Sequence, residues 1–304
     1  MKIRFGRPLI ASTIGLAVLL SGCSNGEPAR TEPEDEEPAA VPEGEPVVDI
    51  AMGEYAYAIS GVLAEGGTMR IQNVGKEIHM IGVGKLRDGK TKDDVLNAFQ
   101  LEGDPEAALE DLVDEAEGPM GGTYLPGKAV EVTVPEFQQG EYVFICFIPS
   151  VGDARPHAAK GMVADFTVGR GDVQQPAPDA TYRLTAGRPI EGPATLAAGR
   201  RVIALEGTEG SGNLEPSLMK FAPGRSFGDV DPAFGQIFGE APPQPDYLAN
   251  FPLASAFFLH DLTDVRRMFV AVDLEPGDYL MTAHDSDTEE PVTDPVEKIA
   301  IKVT

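Results

Sequence analysis

Short runs of alternating apolar and polar residues recur along the chain after residue 46. In the first half, seven such runs share an enrichment in Val, Ile, Tyr, Phe and Thr and cover residues 47–50, 56–59, 68–73, 78–83, 129–134, 141–148 and 162–168. Turn residues separate them, for example Gly66 and Gly67, or Pro126 and Gly127. A period of two places successive side chains on opposite faces of a strand. The pattern therefore predicts an all-β protein whose short strands form a sandwich.

Two stretches inside this region have a different period. Residues 92–101 and 105–115 carry apolar residues at helical spacing, with acidic residues on the opposite face. Both stretches lie between two predicted strands. The sequence therefore predicts a short helical insertion in the sandwich.

The second half of the chain repeats the first. Residues 140–146 match 277–283, 69–72 match 201–205, 79–86 match 214–221 and 162–168 match 297–303. The helical insertion also has a counterpart, at residues 229–238. One repeat of about 130 residues predicts two tandem copies of one domain. We place them at 47–170 and 180–304, joined by a linker at 171–179 that is rich in Gly, Gln, Pro and Ala.

The first 22 residues have the organisation of a secretion signal. Three basic residues open the chain, and an uncharged apolar stretch at residues 8–20 follows them. That stretch is too short to span a bilayer. The run Leu20, Ser21, Gly22, Cys23 resembles the lipobox of bacterial lipoproteins. This resemblance implies a signal peptide at 1–22, a lipid on Cys23 and an extracytoplasmic position at a membrane, although an ordinary signal peptide cleaved elsewhere remains the alternative.

Residues 23–46 contain many Pro, Glu, Gly and Ala residues and almost no large apolar side chain. Such a segment cannot bury enough surface to offset the entropy of ordering it. Its glutamates also repel one another and extend the chain. We therefore predict a disordered acidic linker between the lipid anchor and the folded part.

The formal net charge of the chain is −25. An acidic chain with no basic patch is repelled by a phosphate backbone, which argues against nucleic-acid binding. The acidic balance instead favours solubility and basic protein partners. No Gly-rich phosphate loop and no serine elbow are present in the sequence. The oligomeric state is left open.

The chain has two cysteines, and this number directs attention to Cys146. If Cys23 carries a lipid, Cys146 has no disulfide partner. A lone thiol in an oxidising compartment is unusual and suggests that something occupies it.

Four residues of the first half could together hold a metal ion. His79 follows a strand and a turn, whereas Cys146, His157 and Met162 come from one late strand end and the loop after it. A thiolate, two imidazoles and a thioether are the ligand set of type 1 copper. Each residue taken alone is more often structural, as a buried Cys or Met usually is. Their occurrence together, in this order, favours a metal site.

The residues around Cys146 resemble those of the cupredoxins, the family of plastocyanin and azurin. In that family a strand ends in Gly-x-Tyr-x-x-x-Cys, and the loop after it supplies a His and then a Met. The residues that match are Gly140, Tyr142, Cys146, His157 and Met162. The resemblance covers residues 47–168 and implies a Greek-key sandwich, one type 1 copper ion and one-electron transfer. It implies that the copper ligands are His79, Cys146, His157 and Met162.

The resemblance further implies that His157 is the solvent-exposed edge of the site, with Ala158 and Ala159 leaving that edge unobstructed. One feature departs from the simplest members of the family. Ten residues separate Cys146 from His157, whereas plastocyanins have two in this loop. Copper nitrite reductases and some azurin relatives carry longer loops.

The second copy lacks the ligand set. Its counterparts are Leu214, Ala283, a residue near Val292, and Glu297, so copper is expected in the first domain alone. His260 and His284 are interpreted as ordinary surface or hydrogen-bonded residues.

Two other functions are weighed against electron transfer. Both domains could be metal-free modules that bind a protein or ligand at the cell surface, with the helical insertion as the contact. The chain could also be a multicopper oxidase or a nitrite reductase. Those enzymes need additional histidines, often in His-x-His pairs, whereas this chain has four histidines and no such pair. We therefore expect a protein that is not an enzyme.

Overall fold

The computed structural model describes residues 47–100, 108–115, 121–135, 138–171, 174–209, 214–238, 243–259, 266–285 and 296–304. The predicted signal peptide, Cys23 and the acidic linker lie outside these residues. None of the helices in the described ranges is long and apolar enough to cross a membrane.

The described residues form 18 strands, two α-helices and three short 3-10 helices. The strands are β1 (Val47–Gly53), β2 (Ala56–Gly61), β3 (Leu63–Ala64), β4 (Thr68–Asn73), β5 (His79–Leu86), β6 (Val113–Glu115), β7 (Gly121–Tyr124), β8 (Ala129–Thr133), β9 (Gly140–Ile145), β10 (Val163–Gly169), β11 (Ala180–Leu184), β12 (Thr195–Leu196), β13 (Gly199–Gly207), β14 (Leu214–Phe221), β15 (Leu253–Leu259), β16 (Arg267–Leu274), β17 (Gly277–Asp285) and β18 (Lys298–Val303). The α-helices are α1 (Lys92–Ala98) and α2 (Val230–Phe238), and the 3-10 helices are His157–Lys160, Phe227–Asp229 and Tyr247–Asn250.

The strands form two sheets that pack against each other. The seven-stranded sheet has the order β11-β13-β16-β8-β4-β1-β2. The other sheet has the order β12-β18-β17-β14-β15-β7-β5-β9-β10-β3, with β6 paired to β5. Side chains that alternate along the strands fill the space between the sheets, as in β1, where every second residue from Val48 to Met52 is buried. The predicted all-β fold class is confirmed.

The order of strand pairing is the same in the two halves. The order β8-β4-β1 corresponds to β16-β13-β11, and β7-β5-β9-β10-β3 corresponds to β15-β14-β17-β18-β12. Tyr142 pairs with Lys85 across β9 and β5, as Tyr279 pairs with Lys220 across β17 and β14. Each tyrosine hydroxyl also donates to the carbonyl four residues before it. The domain boundaries predicted around residues 171–179 stay a prediction.

The two halves are joined by strands that are equivalent to each other. β8 pairs with β16 and β7 pairs with β15, both antiparallel, so both sheets continue from one half into the other. Because each pair consists of equivalent strands from the two halves, a local two-fold axis is expected to relate the halves at this junction. Gly122 lies at this junction with a φ of 156°, and a side chain on it would collide with the carbonyl of Phe258. The junction therefore requires glycine at this position.

The helical insertion is confirmed in part. α1 begins at a capping box, in which Thr91 and Asp94 bond to each other's backbone N–H. Its residue Val95 packs with Val143 and Val163 of the larger sheet. The helix predicted at 105–115 is wrong at its end, where β6 pairs with β5 instead. Gly84 provides the reason, because its missing side chain leaves room for the branched side chain of Val113.

A hairpin distinguishes the first half from the second. β1 and β2 are joined by a two-residue turn, Glu54 and Tyr55, and β2 forms one edge of the seven-stranded sheet. β11, the counterpart of β1, is itself an edge strand. Residues 185–194 after it form no second strand, and only Glu191 among them makes a bridge, to Arg183 of β11. Tyr55 has a φ of 63°, a left-handed conformation that is unusual for a bulky residue.

Candidate metal centre

The structure brings His79, Cys146 and His157 together in the interior of the first half. The Nδ1 atoms of the two histidines are 3.0 Å apart, and the Sγ of Cys146 lies 3.5 Å from the Nδ1 of His157. The three candidate ligand atoms all lie within 4.8 Å of one another. All three residues have no exposed surface. Donor atoms that converge in this way can share one ion.

His79 is positioned by a loop that Asn73 organises. Asn73 ends β4 and is fully buried; its Oδ1 accepts from the N–H of Gly75, and its Nδ2 donates to the carbonyls of Glu77 and Tyr124. These bonds shape the turn from which His79 enters β5. Gly75 lies directly against the imidazole, since a Cβ on it would stand 2.6 Å from the Nε2 of His79. The residues from Asn73 to His79 thus form a turn that places the His79 imidazole in the protein interior.

Cys146 follows the last residue of β9 and is held by its backbone. Its N–H donates to the carbonyl of Met162 over 3.2 Å, and its carbonyl accepts from the N–H of Ala158 over 2.9 Å. Its sulfur accepts from the N–H of Met80, which follows His79 in β5. Two backbone hydrogen bonds to the loop after Cys146 and one N–H···S bond from β5 therefore fix the position of the thiol.

The long loop before His157 closes on itself. The N–H of His157 donates to the carbonyl of Ile148 over 2.9 Å, and Pro149 forms a bridge with Pro156. The residues between Ile148 and His157 therefore form a loop whose two ends are hydrogen-bonded to each other. Because these ends meet, His157 lies close to Cys146 even though ten residues separate them.

Met162 is fully buried in the same apolar cluster as Cys146. It follows the 3-10 helix His157–Lys160, which ends at Gly161 with a φ of 109°. The N–H of Met162 donates to the carbonyl of His157 over 3.0 Å. The backbone thus connects all three late candidate residues directly.

Glu77 belongs to the site, although the sequence patterns did not single it out. Its Oε2 lies 3.2 Å from the Nε2 of His157 and accepts from the N–H of Val151, while its Oε1 accepts from the hydroxyl of Tyr55. A carboxylate on one ring nitrogen of a histidine fixes which nitrogen carries the proton. With Nε2–H donating to Glu77, the Nδ1 of His157 presents its lone pair to Cys146 and His79. The only signal in the sequence was the position of Glu77, two residues before His79.

The expected exposure of His157 is wrong. Its side chain is completely buried, and Ala158 and Ala159 are buried as well. The ring of Tyr55 stands edge-on to the imidazole, with 5.1 Å between the ring centres, and the ammonium of Lys160 lies 4.7 Å from the centre of the Tyr55 ring. The β1–β2 hairpin therefore covers the edge of His157 that the resemblance to cupredoxins predicts to be exposed to solvent.

Burial shifts the protonation of all three candidate ligands toward the neutral forms. It lowers the pKa of both histidines to about 4, with the neighbouring His157 adding to the effect on His79 and the Lys160 ammonium to that on His157. Burial also raises the pKa of the Cys146 thiol to about 12. In the metal-free protein at neutral pH, two neutral imidazoles therefore face a neutral thiol.

The second half has apolar residues in the places of His79 and Cys146. The strand registers align Leu214 with His79 and Ala283 with Cys146, and both are fully buried. The N–H of Ala283 donates to the carbonyl of Glu297, as that of Cys146 donates to Met162. The Glu297 carboxylate accepts from the N–H of Gly187. The predicted correspondence of these positions thus agrees with the registers.

The remaining histidines do not join a cluster of ligand type in the described part of the chain. His284 is half-buried and lies in β17 opposite Glu215. His260 and the residue near Val292 lie outside the described residues.

No protein-family model matches the chain, and no curated protein sequence matches it. Among solved structures, dithionite-reduced auracyanin from Roseiflexus castenholzii is 23% identical with a TM-score of 0.27, over 41% of this chain and 97% of that one. Auracyanin B is 15% identical with a TM-score of 0.26, over 43% and 93% of the two chains, and a multicopper oxidase is 12% identical with a TM-score of 0.22, over 89% and 94%. Likenesses at these TM-scores establish nothing further about this chain, whose fold rests on its own strand pairing.

The residues present fit a copper ion. A sulfur is a soft ligand and imidazole nitrogens also suit copper, so the three atoms together form a donor set that copper prefers. The Nε2 of His79 is buried and has no hydrogen-bond partner among the described residues. Two Nδ1 atoms 3.0 Å apart share one proton at most in the metal-free protein, so His79 donates to His157 and its Nε2 stays without a proton and unpaired. Transfer of that proton to the bare Nε2 of His79 would keep the imidazole neutral and free both Nδ1 lone pairs for a cation.

Proposed function

We propose that this protein is an extracytoplasmic, lipid-anchored copper protein that transfers single electrons. One copper ion would be held by His79, Cys146 and His157, with Met162 as a weak further ligand. The observation that carries the proposal is the convergence of two imidazole Nδ1 atoms and one thiol sulfur in a fully buried site. The bound ion would supply a one-electron couple.

The protein's own residues would keep this site rigid. Asn73 holds the turn before His79, and backbone bonds hold Cys146 against Met162 and Ala158. Side chains fixed in this way before the ion arrives need not rearrange when its charge changes. The high pKa of the Cys146 thiol means that only a cation with a strong preference for sulfur would displace its proton.

The surroundings of the site follow from the sequence. We propose that a lipid on Cys23 attaches the chain to a membrane and that residues 23–46 form the spacer. The acidic chain would then dock a basic redox partner protein and would avoid nucleic acid. With four histidines in the whole chain, we propose that it does not carry the additional copper centres of an oxidase.

A copper titration of the full chain tests the function. Cys23→Ser removes the lipidation site and leaves Cys146 as the only thiol, which keeps the chain soluble and the result unambiguous. Addition of Cu(II) should produce intense visible absorption that saturates at one ion per chain. Cys146→Ser in this background should abolish the absorption, whereas His284→Gln, which removes a histidine outside the cluster, should leave it unchanged. A parent chain that stays colourless with excess Cu(II), and whose Cys146 titrates as a free thiol after unfolding, would refute the proposal.

A further inference from the structure

A segment of the second half reaches over to both loops that carry the candidate ligands. The hydroxyl oxygen of Tyr247 accepts from the N–H of Ile78 over 2.8 Å, one residue before His79. The carbonyl of Pro243 accepts from the N–H of Gly152 over 3.2 Å, within the loop between Cys146 and His157. The half without ligands therefore bonds to the backbone of each ligand loop of the other half.

The contact at Ile78 satisfies a buried group. Ile78 has no exposed surface, and a buried N–H without an acceptor is unfavourable. The next residue along the chain is His79, whose Nδ1 faces His157. A shift of the Ile78 backbone toward another acceptor would therefore move the imidazole directly.

Tyr247 is well placed to hold that backbone. It begins the 3-10 helix Tyr247–Asn250, and its own N–H donates to the carbonyl of Gln244. Its ring packs against the main apolar core. Burial raises the pKa of Tyr247 to about 12, against the lowering effect of the hydrogen bond from the Ile78 N–H. The side chain thus reaches the wall of the candidate metal centre from the second half.

We propose that the second half positions the metal ligands of the first, with Tyr247 as the positioning residue for His79. This inference rests on the proposed function, because it concerns the ligands of the same site. It assigns a role to a domain copy that has no ligand set of its own. The carbonyl of Pro243 holds the other ligand loop in the same way.

The test compares Tyr247→Phe with a matched variant in the full chain carrying Cys23→Ser. Tyr247→Phe keeps the ring and removes the acceptor of the Ile78 N–H. Tyr182→Phe is the control, because the Tyr182 hydroxyl bonds to the carbonyl of Pro193 within the second half. Without metal, hydrogen exchange at the Ile78 amide should accelerate about tenfold in Tyr247→Phe. Copper affinity should fall about tenfold, with a shifted absorption maximum, as expected when an outer-shell partner is lost.

The outcomes separate the two proposals. If the wild-type chain binds copper and Tyr247→Phe binds it with the same affinity and spectrum, the positioning role is overturned and the proposed function stands. If both Tyr variants lose affinity equally, the effect is a general loss of stability and the inference is likewise overturned. If the wild-type chain fails to bind copper, the proposed function fails, and an Ile78 amide that exchanges equally fast in Tyr247→Phe and in its parent overturns the positioning role as well.

Discussion

The two halves of this protein share one arrangement of strands and differ in what that arrangement encloses. In the second half, Leu214 and Ala283 fill the positions that His79 and Cys146 occupy in the first. Both halves have buried cores there, so the fold does not need polar residues at these positions. Buried polar groups are instead a burden that a protein normally carries for function.

The first half also carries structure that has no counterpart in the described residues of the second half. The hairpin of β1 and β2 places Tyr55 over His157, and Glu77 bonds to both residues. Asn73 and Gly75 shape the turn before His79. The candidate ligands therefore occur together with the elements that enclose and orient them, since all of these elements surround the same three side chains.

Conversion of the first half to the pattern of the second should have the largest effect on the site. His79→Leu with Cys146→Ala copies the residues found at 214 and 283 and should abolish the visible copper absorption completely. The metal-free variant should keep its fold, with a free energy of unfolding within about 2 kcal/mol of the parent, because removal of the unpaired Nε2 of His79 offsets the loss of partners for the Met80 N–H and the His157 Nδ1. Chemical denaturation followed by circular dichroism measures this. Full copper absorption in the double variant would show that the ligands lie elsewhere.

The buried histidines should make the metal-free protein sensitive to acid. Their pKa is about 4 in the folded chain and near 6.5 when unfolded, so only the unfolded chain gains protons between these values. Stability should therefore be intact above pH 6.5 and fall progressively toward pH 4, by roughly 3 kcal/mol for each imidazole. Thermal melting across this range measures the loss.

The variant with His79→Leu and Cys146→Ala gives the control for this pH dependence. It retains one of the two histidines, so its stability should fall by about half as much over the same range. An identical pH dependence in the parent and in this variant would assign the acid sensitivity to other groups.

A smaller effect is expected from Glu77, which has no candidate ligand atom in the cluster. Glu77→Gln keeps the size of the side chain but weakens its hold on the Nε2 of His157, and copper affinity should fall about tenfold. Competition with a chelator of known affinity measures this. Glu131→Gln, in an ion-pair network of Arg70 and Arg200 on the seven-stranded sheet, is a matched control and should leave copper affinity unchanged. Equal losses in both variants would remove the specific role of Glu77.

The correspondence between the halves could be predicted from the sequence because strand periodicity is strict. A shift of one residue would turn every side chain to the other face, so matching the motifs at Gly140 and Gly277 was enough to align Cys146 with Ala283. The same alignment placed Leu214 at the position of His79. Local patterns of this kind also identified α1 and most strand positions to within a few residues.

Other features depend on contacts between distant residues and could not be predicted. The burial of His157 comes from Tyr55, about a hundred positions earlier, and the bond at Ile78 comes from Tyr247 in the other half. The end of the second predicted helix failed because Val113 packs over Gly84. In each case a tertiary contact decides what the local pattern left open.

X-ray absorption at the copper edge of the copper-loaded full chain, with Cys23→Ser, tests the central claim most directly. The ligands proposed from His79, Cys146 and His157 predict one sulfur and two nitrogen neighbours at short distance around a single copper ion, with the Met162 sulfur farther away, and loss of the short sulfur neighbour in Cys146→Ser. A copper environment of nitrogen and oxygen alone in the parent chain would contradict the proposed site.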